Sequence, residues 1–340
     1  MRAVYRLLWI NRLMRSHRVK YLGAALAHRL GMRHLVVRFD PVQACNLRCT
    51  MCYFSDDDYV RRHGGRFTED EIEKLAEDLF PLAYLVVVGC GAEPTMYKGF
   101  PELVRLARQH GVPHVSMVSN GLLLTDEHVG KLIDYGLEEI MISAHGVTRQ
   151  SYERFMVKAS FERFHAALRT IDEVKSRRGS RTPELRINYT VNADNLDELR
   201  GFFDAFGSYR ISTLQVRPVM DIGGQYRTLL AGADIERFRA VAAELGATCK
   251  ARGITLLCNT GDPGYVGEPD ASLGLDAFHR YVGPTEVWRP DFDWRNESYA
   301  ASCKRLGWTG YLLRAALTPK AAVQAPGRLG KYGARYEVQF

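Results

Sequence analysis

The stretch Cys45-Asn-Leu-Arg-Cys49-Thr-Met-Cys52 places three cysteines in one short loop, with the spacing C-x3-C-x2-C. Three thiolates are one fewer than the four cysteines that hold an ordinary iron–sulfur cluster. A four-iron cluster with three cysteine ligands leaves one iron open to a cofactor or substrate. A zinc knuckle and three unpaired buried thiols are the alternatives. Structural zinc needs a fourth ligand, and the nearest candidate, His63, stands in a polar turn without a second cysteine pair. The spacing therefore favours an iron–sulfur cluster.

The residues around this loop predict alternating strands and helices. Buried strands are predicted for six short apolar, β-branched runs, at residues 34–40, 84–89, 114–119, 139–143, 184–191 and 213–219. Helices are predicted after Thr68, which forms a capping box with Glu71, and at residues 97–109, 125–135, 160–175 and 195–206. This alternation is typical of parallel strands joined by right-handed crossovers. We expect an α/β fold, a partial (β/α)6 TIM-like barrel.

Three regions are predicted along the chain. Residues 1–33 form a basic N-terminal helical extension, residues 34–232 the core barrel, and residues 233–340 a small C-terminal α+β extension. Within the last region, residues 233–252 predict a helix and residues 254–258 a further strand.

Polar and small residues follow the predicted strands at their carboxyl ends, where chemistry gathers in such barrels. The first strand leads into the cysteine loop. The following strand ends carry, in order, Gly91-Ala92-Glu93-Pro94, Asn120-Gly121, Ser143-Ala-His145, Asn192 and Arg217.

This series resembles the signature of the radical S-adenosylmethionine (radical SAM) superfamily, over a little more than half of the chain. The cysteine spacing matches the superfamily motif, with Asn46 after the first cysteine and Met51 before the third. The segment Gly91-Ala92-Glu93-Pro94 resembles the Gly-Gly-Glu-Pro segment of the superfamily, with one Gly→Ala departure. The segments that contain Asn120 and Ser143 resemble the endings of its third and fourth strands.

The resemblance implies two cofactors, a 4Fe-4S cluster on Cys45, Cys49 and Cys52 and S-adenosylmethionine (SAM). It implies that the open iron chelates SAM and that the reduced cluster cleaves it to methionine and a 5′-deoxyadenosyl radical, which abstracts hydrogen from the substrate. It also implies a one-electron reductant such as flavodoxin or ferredoxin. The predicted cofactor-binding residues are Gly91, Ala92, Glu93, Pro94, Asn120, Ser143, Asn192 and Arg217.

Two of these positions have simpler interpretations. A strand-to-helix turn also explains glycine and proline at residues 91–94. His145 is a candidate proton-transfer group, because imidazole titrates near neutrality, but a hydrogen-bonded turn residue explains it as well and is the favoured interpretation. No catalytic residue beyond this candidate is predicted.

Composition favours a globular enzyme with one barrel. The chain has 340 residues, 46% hydrophobic and 25% charged, and no apolar run long enough to span a bilayer. Seven cysteines, an odd and clustered set, argue against a secreted disulfide framework. We therefore expect a cytoplasmic protein.

The net charge of +7 is uneven, because residues 1–38 hold nine basic residues and no acidic one. Residues 1–30 also carry apolar residues and predict a basic amphipathic helix. A helical cap on the barrel is favoured. The alternatives are peripheral contact with an anionic membrane and binding of an acidic partner; no nucleic acid is expected.

The C-terminal extension faintly resembles the cysteine-rich SPASM or twitch extension of peptide-modifying members. Residues 321–340 contain no cysteine, so we predict no auxiliary cluster on Cys249, Cys258 or Cys303 and regard these and Cys90 as thiols.

The predicted function is that of a radical SAM enzyme acting on a peptide or a small biosynthetic intermediate. One alternative is a non-catalytic iron–sulfur protein for electron transfer or sensing. A second is a membrane-associated radical SAM enzyme of a lipid pathway. An electron carrier has no need of a nucleoside-shaped cleft across several strand ends, which favours the enzyme.

Overall fold

The computed structural model describes residues 16–220, 222–226, 228–258, 278–285, 292–318 and 337–339. Its strands are β1 (Leu35–Phe39), β2 (Ala83–Val88), β3 (His114–Ser119), β4 (Glu139–Ala144), β5 (Glu184–Val191), β6 (Ile211–Pro218), β7 (Thr255–Cys258), β8 (His279–Val282) and β9 (Glu337–Gln339). They form one sheet in the order β8-β1-β2-β3-β4-β5-β6-β7-β9. All neighbouring pairs are parallel except β7 and β9, which run antiparallel.

Helices connect most of these strands. They are α1 (His17–Arg29), α2 (Asp57–Arg62), α3 (Glu69–Leu79), α4 (Phe100–Gln109), α5 (Asp126–Asp134), α6 (Arg149–Phe155), α7 (Phe161–Arg177), α8 (Phe202–Phe206), α9 (Ala233–Arg252), α10 (Tyr299–Arg305) and α11 (Trp308–Leu317). The capping box predicted at the start of α3 is confirmed. The Thr68 amide donates to Glu71 Oε2 at 2.9 Å, and the Glu71 amide donates to Thr68 Oγ1 at 3.2 Å.

The predicted fold class is confirmed: the six expected parallel strands lie side by side, and the sheet is curved but not closed into a full barrel. Two further parallel strands extend it, β7 beside β6 and β8 beside β1. Strands from residues 233–340 therefore belong to the same sheet as the core, while the predicted division into three regions stays a prediction. The helix predicted at residues 195–206 is shorter than expected, because Asp197–Gly201 is a 3-10 helix before α8.

The two faces of the sheet differ in chemistry. On one face the neighbouring residues Val37, Val86 and Val115 are fully buried, in the same core cluster as Leu75 of α3 and Leu132 of α5. Because side chains alternate along a strand, the next residues point to the opposite face.

That opposite face carries polar side chains. Arg186 of β5 donates to Glu139 Oε2 of β4 at 2.6 Å and to Gln215 Oε1 of β6 at 3.3 Å. Arg38 of β1 and Ser116 of β3 lie in the same rows of the sheet. The interior of the open barrel is therefore polar. The candidate functional residues lie at the carboxyl ends of the strands that form it.

The N-terminal and C-terminal helices lie together outside the sheet. Helix α1 packs against α11 and buries Tyr21, Ala24 and Ala25 in the main core. The described half of the predicted N-terminal helix is thus helical and packed, and residues 1–15 lie outside the described residues. In the part of the chain that the structure describes, no helix combines the length and apolar character needed to cross a bilayer.

Candidate functional site

The cysteine loop follows β1 and is held on two sides, by backbone hydrogen bonds on one and by close packing against Gly224 on the other. The amides of Arg48 and Thr50 donate to the carbonyls of Val157 and Phe155, each at 2.9 Å. On the other side, a Cβ atom added to Gly224 would lie 2.6 Å from the Thr50 carbonyl oxygen and 2.7 Å from the Cys52 nitrogen. Segments after α6 and β6 therefore clasp the loop and hold its shape.

The three predicted cluster ligands, Cys45, Cys49 and Cys52, are half-buried and form no disulfide. Burial raises the pKa of the Cys45 thiol to about 12, and the charges of Glu93 and Cys52 add to this shift. Burial also raises the pKa of Cys49 well above its ordinary value, and the charges of Cys52, Cys45 and Glu93 add to that shift. The three sulfur atoms thus lie close enough to influence one another. Within the described ranges, no three His, Cys, Asp or Glu side chains converge on the position of a single metal ion.

Asp40, at the end of β1, positions the backbone that follows β2. Its carboxylate is fully buried and accepts hydrogen bonds from the amides of Cys90 at 2.6 Å and Gly91 at 2.7 Å, and from the Tyr281 hydroxyl of β8 at 2.5 Å. The Tyr53 hydroxyl donates to the Gly91 carbonyl at 2.5 Å. Gly91 is thereby hydrogen-bonded both at its amide, by Asp40, and at its carbonyl, by Tyr53.

Only glycine fits at position 91. A Cβ atom there would lie 2.6 Å from Tyr53 Oη and 2.9 Å from Asp40 Oδ2. Ala92, the departure from the superfamily segment, is half-exposed, so its methyl group does not enter this crowded region.

Glu93 connects three strand ends. Its buried carboxylate accepts hydrogen bonds from Ser119 Oγ at 2.7 Å, from the Asn120 amide at 2.8 Å and from Thr95, whose hydroxyl donates at 2.6 Å. Its own amide donates to the Ala44 carbonyl at 2.9 Å. Burial raises the pKa of this carboxyl, and the hydrogen bonds oppose that shift. Both oxygens of Glu93 are engaged within the protein, so its side chain acts as a positioning group.

Asn120 and Asn192 attach the cysteine loop to β3 and β5. Asn120 Nδ2 donates to Asn46 Oδ1 at 2.8 Å. Asn192 is fully buried; its Nδ2 donates to Met51 Sδ at 3.3 Å and its Oδ1 accepts from the amides of Asp194 and Asn195. Both side chains therefore hold the residues that flank the cysteines.

Ser143, Asn188 and Gln215 form one row across β4, β5 and β6. Ser143 is half-buried, whereas Asn188 is 4% exposed and its Oδ1 has no hydrogen-bond partner. A buried acceptor without a donor is costly in a folded protein. This row thus presents an unused acceptor in the barrel interior, next to a hydroxyl.

His145 and Arg217 lie near each other at the mouth. Burial and the Arg217 charge lower the pKa of His145 to about 4, so its ring is neutral at neutral pH. Its carbonyl accepts a hydrogen bond from Asn195 Nδ2 at 2.9 Å, as expected of a turn residue, but its ring Nδ1 is buried without a partner. A hydrogen bond between the ring and the Ala144 backbone opposes the pKa shift, so the turn uses one side of the imidazole and leaves Nδ1 unpartnered.

The predicted site residues fall into two groups around the polar face. Glu93, Asn120 and Asn192 are hydrogen-bonded to residues in or beside the cysteine loop, namely Ala44, Asn46 and Met51. Ser143, His145 and Arg217 lie on or directly after the later strands. Three residues of the site were not predicted from the sequence: Asp40, Tyr53 and Tyr281. An acid at the carboxyl end of the first strand was a usable signal for Asp40, but no local pattern indicates Tyr281, which lies 241 residues away in the chain.

The comparisons with known proteins concern the part of the chain that carries this site. Residues 40–202 match the family model described as "Radical SAM superfamily". The chain is 29% identical over 177 residues to Fe-coproporphyrin III synthase of Methanosarcina barkeri, covering 52% of this chain and 42% of that protein. It is 27% identical over 186 residues to a probable GTP 3′,8-cyclase of Metallosphaera sedula, covering 54% and 56%. The chain thus spans about half the length of these curated relatives.

Solved structures share the fold. SuiB of Streptococcus suis bound to SAM superposes with a TM-score of 0.57 at 15% identity, covering 74% of this chain and 59% of that one. The protein anSMEcpe with bound SAM superposes with a TM-score of 0.53 at 19% identity, covering 65% and 62%. At this identity the likeness is one of fold.

Proposed function

We propose that the chain is a radical SAM enzyme, which cleaves SAM reductively and uses the product on a substrate, because residues 40–202 match the model of that superfamily. Cys45, Cys49 and Cys52 would hold a 4Fe-4S cluster. When bound, the cluster supplies the electron that cleaves SAM to methionine and a 5′-deoxyadenosyl radical, which takes a hydrogen atom from the substrate. The observation that carries the proposal is the clasped three-cysteine loop, hydrogen-bonded directly to the strand ends of β3 and β5.

The residues present fit these cofactors. Three thiols on one loop match the ligand chemistry of an iron–sulfur cluster, and they leave no fourth cysteine in that loop. Asp40 and Tyr53 hold the Gly91 peptide in a position where a side chain is excluded, which favours close approach of a ligand to backbone. Glu93, Asn120 and Asn192 act as positioning residues for this surface. Ser143 and Arg217, with Asn188, offer a hydroxyl, a positive charge and a free acceptor for the nucleoside or carboxylate part of SAM.

The substrate is proposed to be a peptide or a small biosynthetic intermediate that enters at the open mouth beside His145. SuiB is known in a structure with its precursor peptide SuiA, and the curated relatives act on other substrates by their names. A one-electron reductant such as flavodoxin or ferredoxin is part of the proposal. Peripheral membrane contact of residues 1–30 also remains a prediction.

The test is anaerobic reconstitution followed by reduction in the presence of SAM. We expect about four irons per chain and slow release of 5′-deoxyadenosine without substrate. Cys45→Ala, Cys49→Ala and Cys52→Ala should each lose both properties. Cys249→Ala, on α9, is the matched control and should keep them, because that thiol is fully buried in the core.

Two outcomes would decide against the proposal. Stable cluster binding by the Cys49→Ala variant would contradict the ligand assignment. An intact, reducible cluster that never yields 5′-deoxyadenosine with any reductant would favour the electron-transfer or sensor alternative.

A further inference from the structure

Large apolar side chains that face solvent are concentrated on α1, on α11 and on the turns that follow or precede them. Among the described residues, ten such side chains are exposed, and eight belong to this region. We call these eight the two-helix face; they are Val19, Leu22, Leu26, Leu30, Met32, Leu306, Leu313 and Leu317. The other two exposed side chains are Met96 and Val157. The spacing of three and four residues keeps the members on α1, and those on α11, on one side of each helix.

The opposite sides of both helices are buried in the same core. Tyr21, Ala24 and Ala25 of α1 belong to the main hydrophobic cluster together with Leu312 and Ala315 of α11, and the two helices pack against each other. The exposed stripes therefore both point away from the barrel. Clustered exposed apolar side chains of this kind mark an interaction surface.

The segments that carry this face are strongly basic. Of the described residues, 16–39 contain five basic and no acidic ones, and 299–318 contain three basic and no acidic ones. Since the whole chain has 46 basic and 39 acidic residues, the remainder holds 38 basic against 39 acidic. Arg18, Arg29, Lys304 and Arg314 are exposed on or beside the two helices. The partner of the face must therefore combine apolar and negatively charged surface.

A cavity of about 480 Å³ opens between α1, α10 and α11. His28, Lys304 and Trp308 are among its lining residues. Trp308 is 5% exposed, and its indole nitrogen has no hydrogen-bond acceptor. The cavity thus offers a cation and an unused N–H donor, which suits an anionic headgroup.

We propose that the two-helix face docks on the surface of a bilayer that contains anionic phospholipid. The leucine side chains enter the boundary between headgroups and acyl chains, while the flanking arginines and lysines contact the lipid phosphates. The face consists of leucine, valine and methionine side chains with no aromatic one among them. Protein interfaces are enriched in aromatic anchors, so this composition favours lipid over a protein partner. The docking involves two elements at opposite ends of the chain, so it goes beyond the basic N-terminus alone and is independent of the proposed SAM chemistry.

The test is flotation of full-length protein with vesicles of phosphatidylcholine alone or mixed with phosphatidylglycerol. We expect binding to the mixed vesicles at low salt, release at high salt, and little binding to phosphatidylcholine. Leu22→Ser with Leu26→Ser, and separately Leu313→Ser with Leu317→Ser, should each lower the partition coefficient about tenfold. Val157→Ser removes an exposed apolar side chain elsewhere and should not change it.

Charge variants give a second measurement that leaves the apolar stripes intact. Arg18→Gln and Arg314→Gln should each weaken binding about fivefold and reduce its salt dependence. Lys131→Gln with Arg177→Gln, on α5 and α7, removes two exposed positive charges elsewhere and is the matched control. These variants decide the matter if a leucine double variant fails to give folded protein by circular dichroism.

Three results would overturn the proposal. Equal binding to neutral and anionic vesicles would show that charge does not contribute to binding. Unchanged binding by both leucine double variants would show that the two-helix face does not contact the vesicle. A dimer in solution that becomes monomeric on Leu313→Ser, without vesicle binding by the wild type, would assign the face to an interface between copies of the chain.

Discussion

Asp40 is a fully buried carboxylate whose acceptors are used by the backbone after β2 and by Tyr281. Burying a carboxylate is favourable only when such donors compensate the lost hydration. Asp40→Asn keeps the shape but turns one acceptor into a donor that faces another N–H group. We expect a loss of about 1–3 kcal/mol in unfolding free energy and weaker SAM binding, measured by denaturant unfolding and calorimetry. Asp70→Asn, on the exposed side of α3, should leave both unchanged; equal effects of the two variants would contradict the role given to Asp40.

At the scale of single residues, His145 also makes the free energy of unfolding depend on pH. Its pKa in the folded chain is about 4, below the ordinary value of 6.5, so the unfolded state binds more protons between these values. The stability that the neutral ring contributes is complete above pH 6.5 and is lost as the pH falls toward 4. Between pH 7 and 5, we expect the unfolding free energy of the apoprotein to fall by about 1–2 kcal/mol more than that of His145→Gln. In Arg217→Gln, where the repelling charge is absent, the fall in unfolding free energy should be smaller. An equal fall in the wild type and in His145→Gln would refute this prediction.

At the scale of elements, α1 is a structural part of the barrel as well as a carrier of exposed leucines. Tyr21 is 2% exposed and packs in the main core, while its neighbour Leu22 is 50% exposed. Tyr21→Ala should therefore cost about 3–5 kcal/mol, whereas Leu22→Ala should change the unfolding free energy by less than about 0.5 kcal/mol. Denaturant unfolding of the two variants tests this, and similar losses would show that α1 does not pack as described.

The elements also show what the sequence can and cannot predict. Strands β3 and β5 have the predicted bounds because their apolar, β-branched runs are long enough to be distinctive. Strand β8 was not predicted, since its four residues include His279 and Arg280 and carry no apolar pattern. Its position depends on pairing with β1 and on Arg280, whose guanidinium lies 4.7 Å from the Trp308 ring centre. The helix predicted at residues 195–206 failed at its start, where the Asn195 side chain hydrogen-bonds to the carbonyls of His145 and Thr190 and to the Asn192 amide.

In the candidate site, too, short sequence motifs could be predicted, whereas contacts between distant parts of the chain could not. The cysteines and Gly91–Pro94 were predicted because they form short motifs whose spacing is visible within a few residues. Asn120 and Asn192 were predicted as cofactor contacts, but their amides bind the loop that carries the cysteines. Motifs therefore indicate candidate positions, whereas the contacts that each side chain makes depend on the packing of distant strands.

For the whole molecule, the three-cysteine loop predicts a link between the cluster and stability. A ligand that binds only the folded state raises its stability, and the loop that carries the cysteines has its native shape only when it is hydrogen-bonded to β3 and β5. Anaerobic removal of iron should therefore lower the melting temperature by several degrees, as measured by calorimetry. The Cys49→Ala protein should melt at the same temperature before and after the chelator, and a wild type that also does not respond would contradict the link.

The pairing of β1 with β8 also sets an order of events during synthesis. Asp40 emerges early, but its partner Tyr281 follows 241 residues later. At about 5–20 residues per second, the ribosome takes roughly 10–50 s to supply it. For that interval the nascent barrel has its cysteine loop but lacks one of the strands that finally flank β1. Completion of the hydrogen bonds around Asp40 is therefore a late event, and a chain that stops before β8 leaves Asp40 deprived of the Tyr281 hydroxyl.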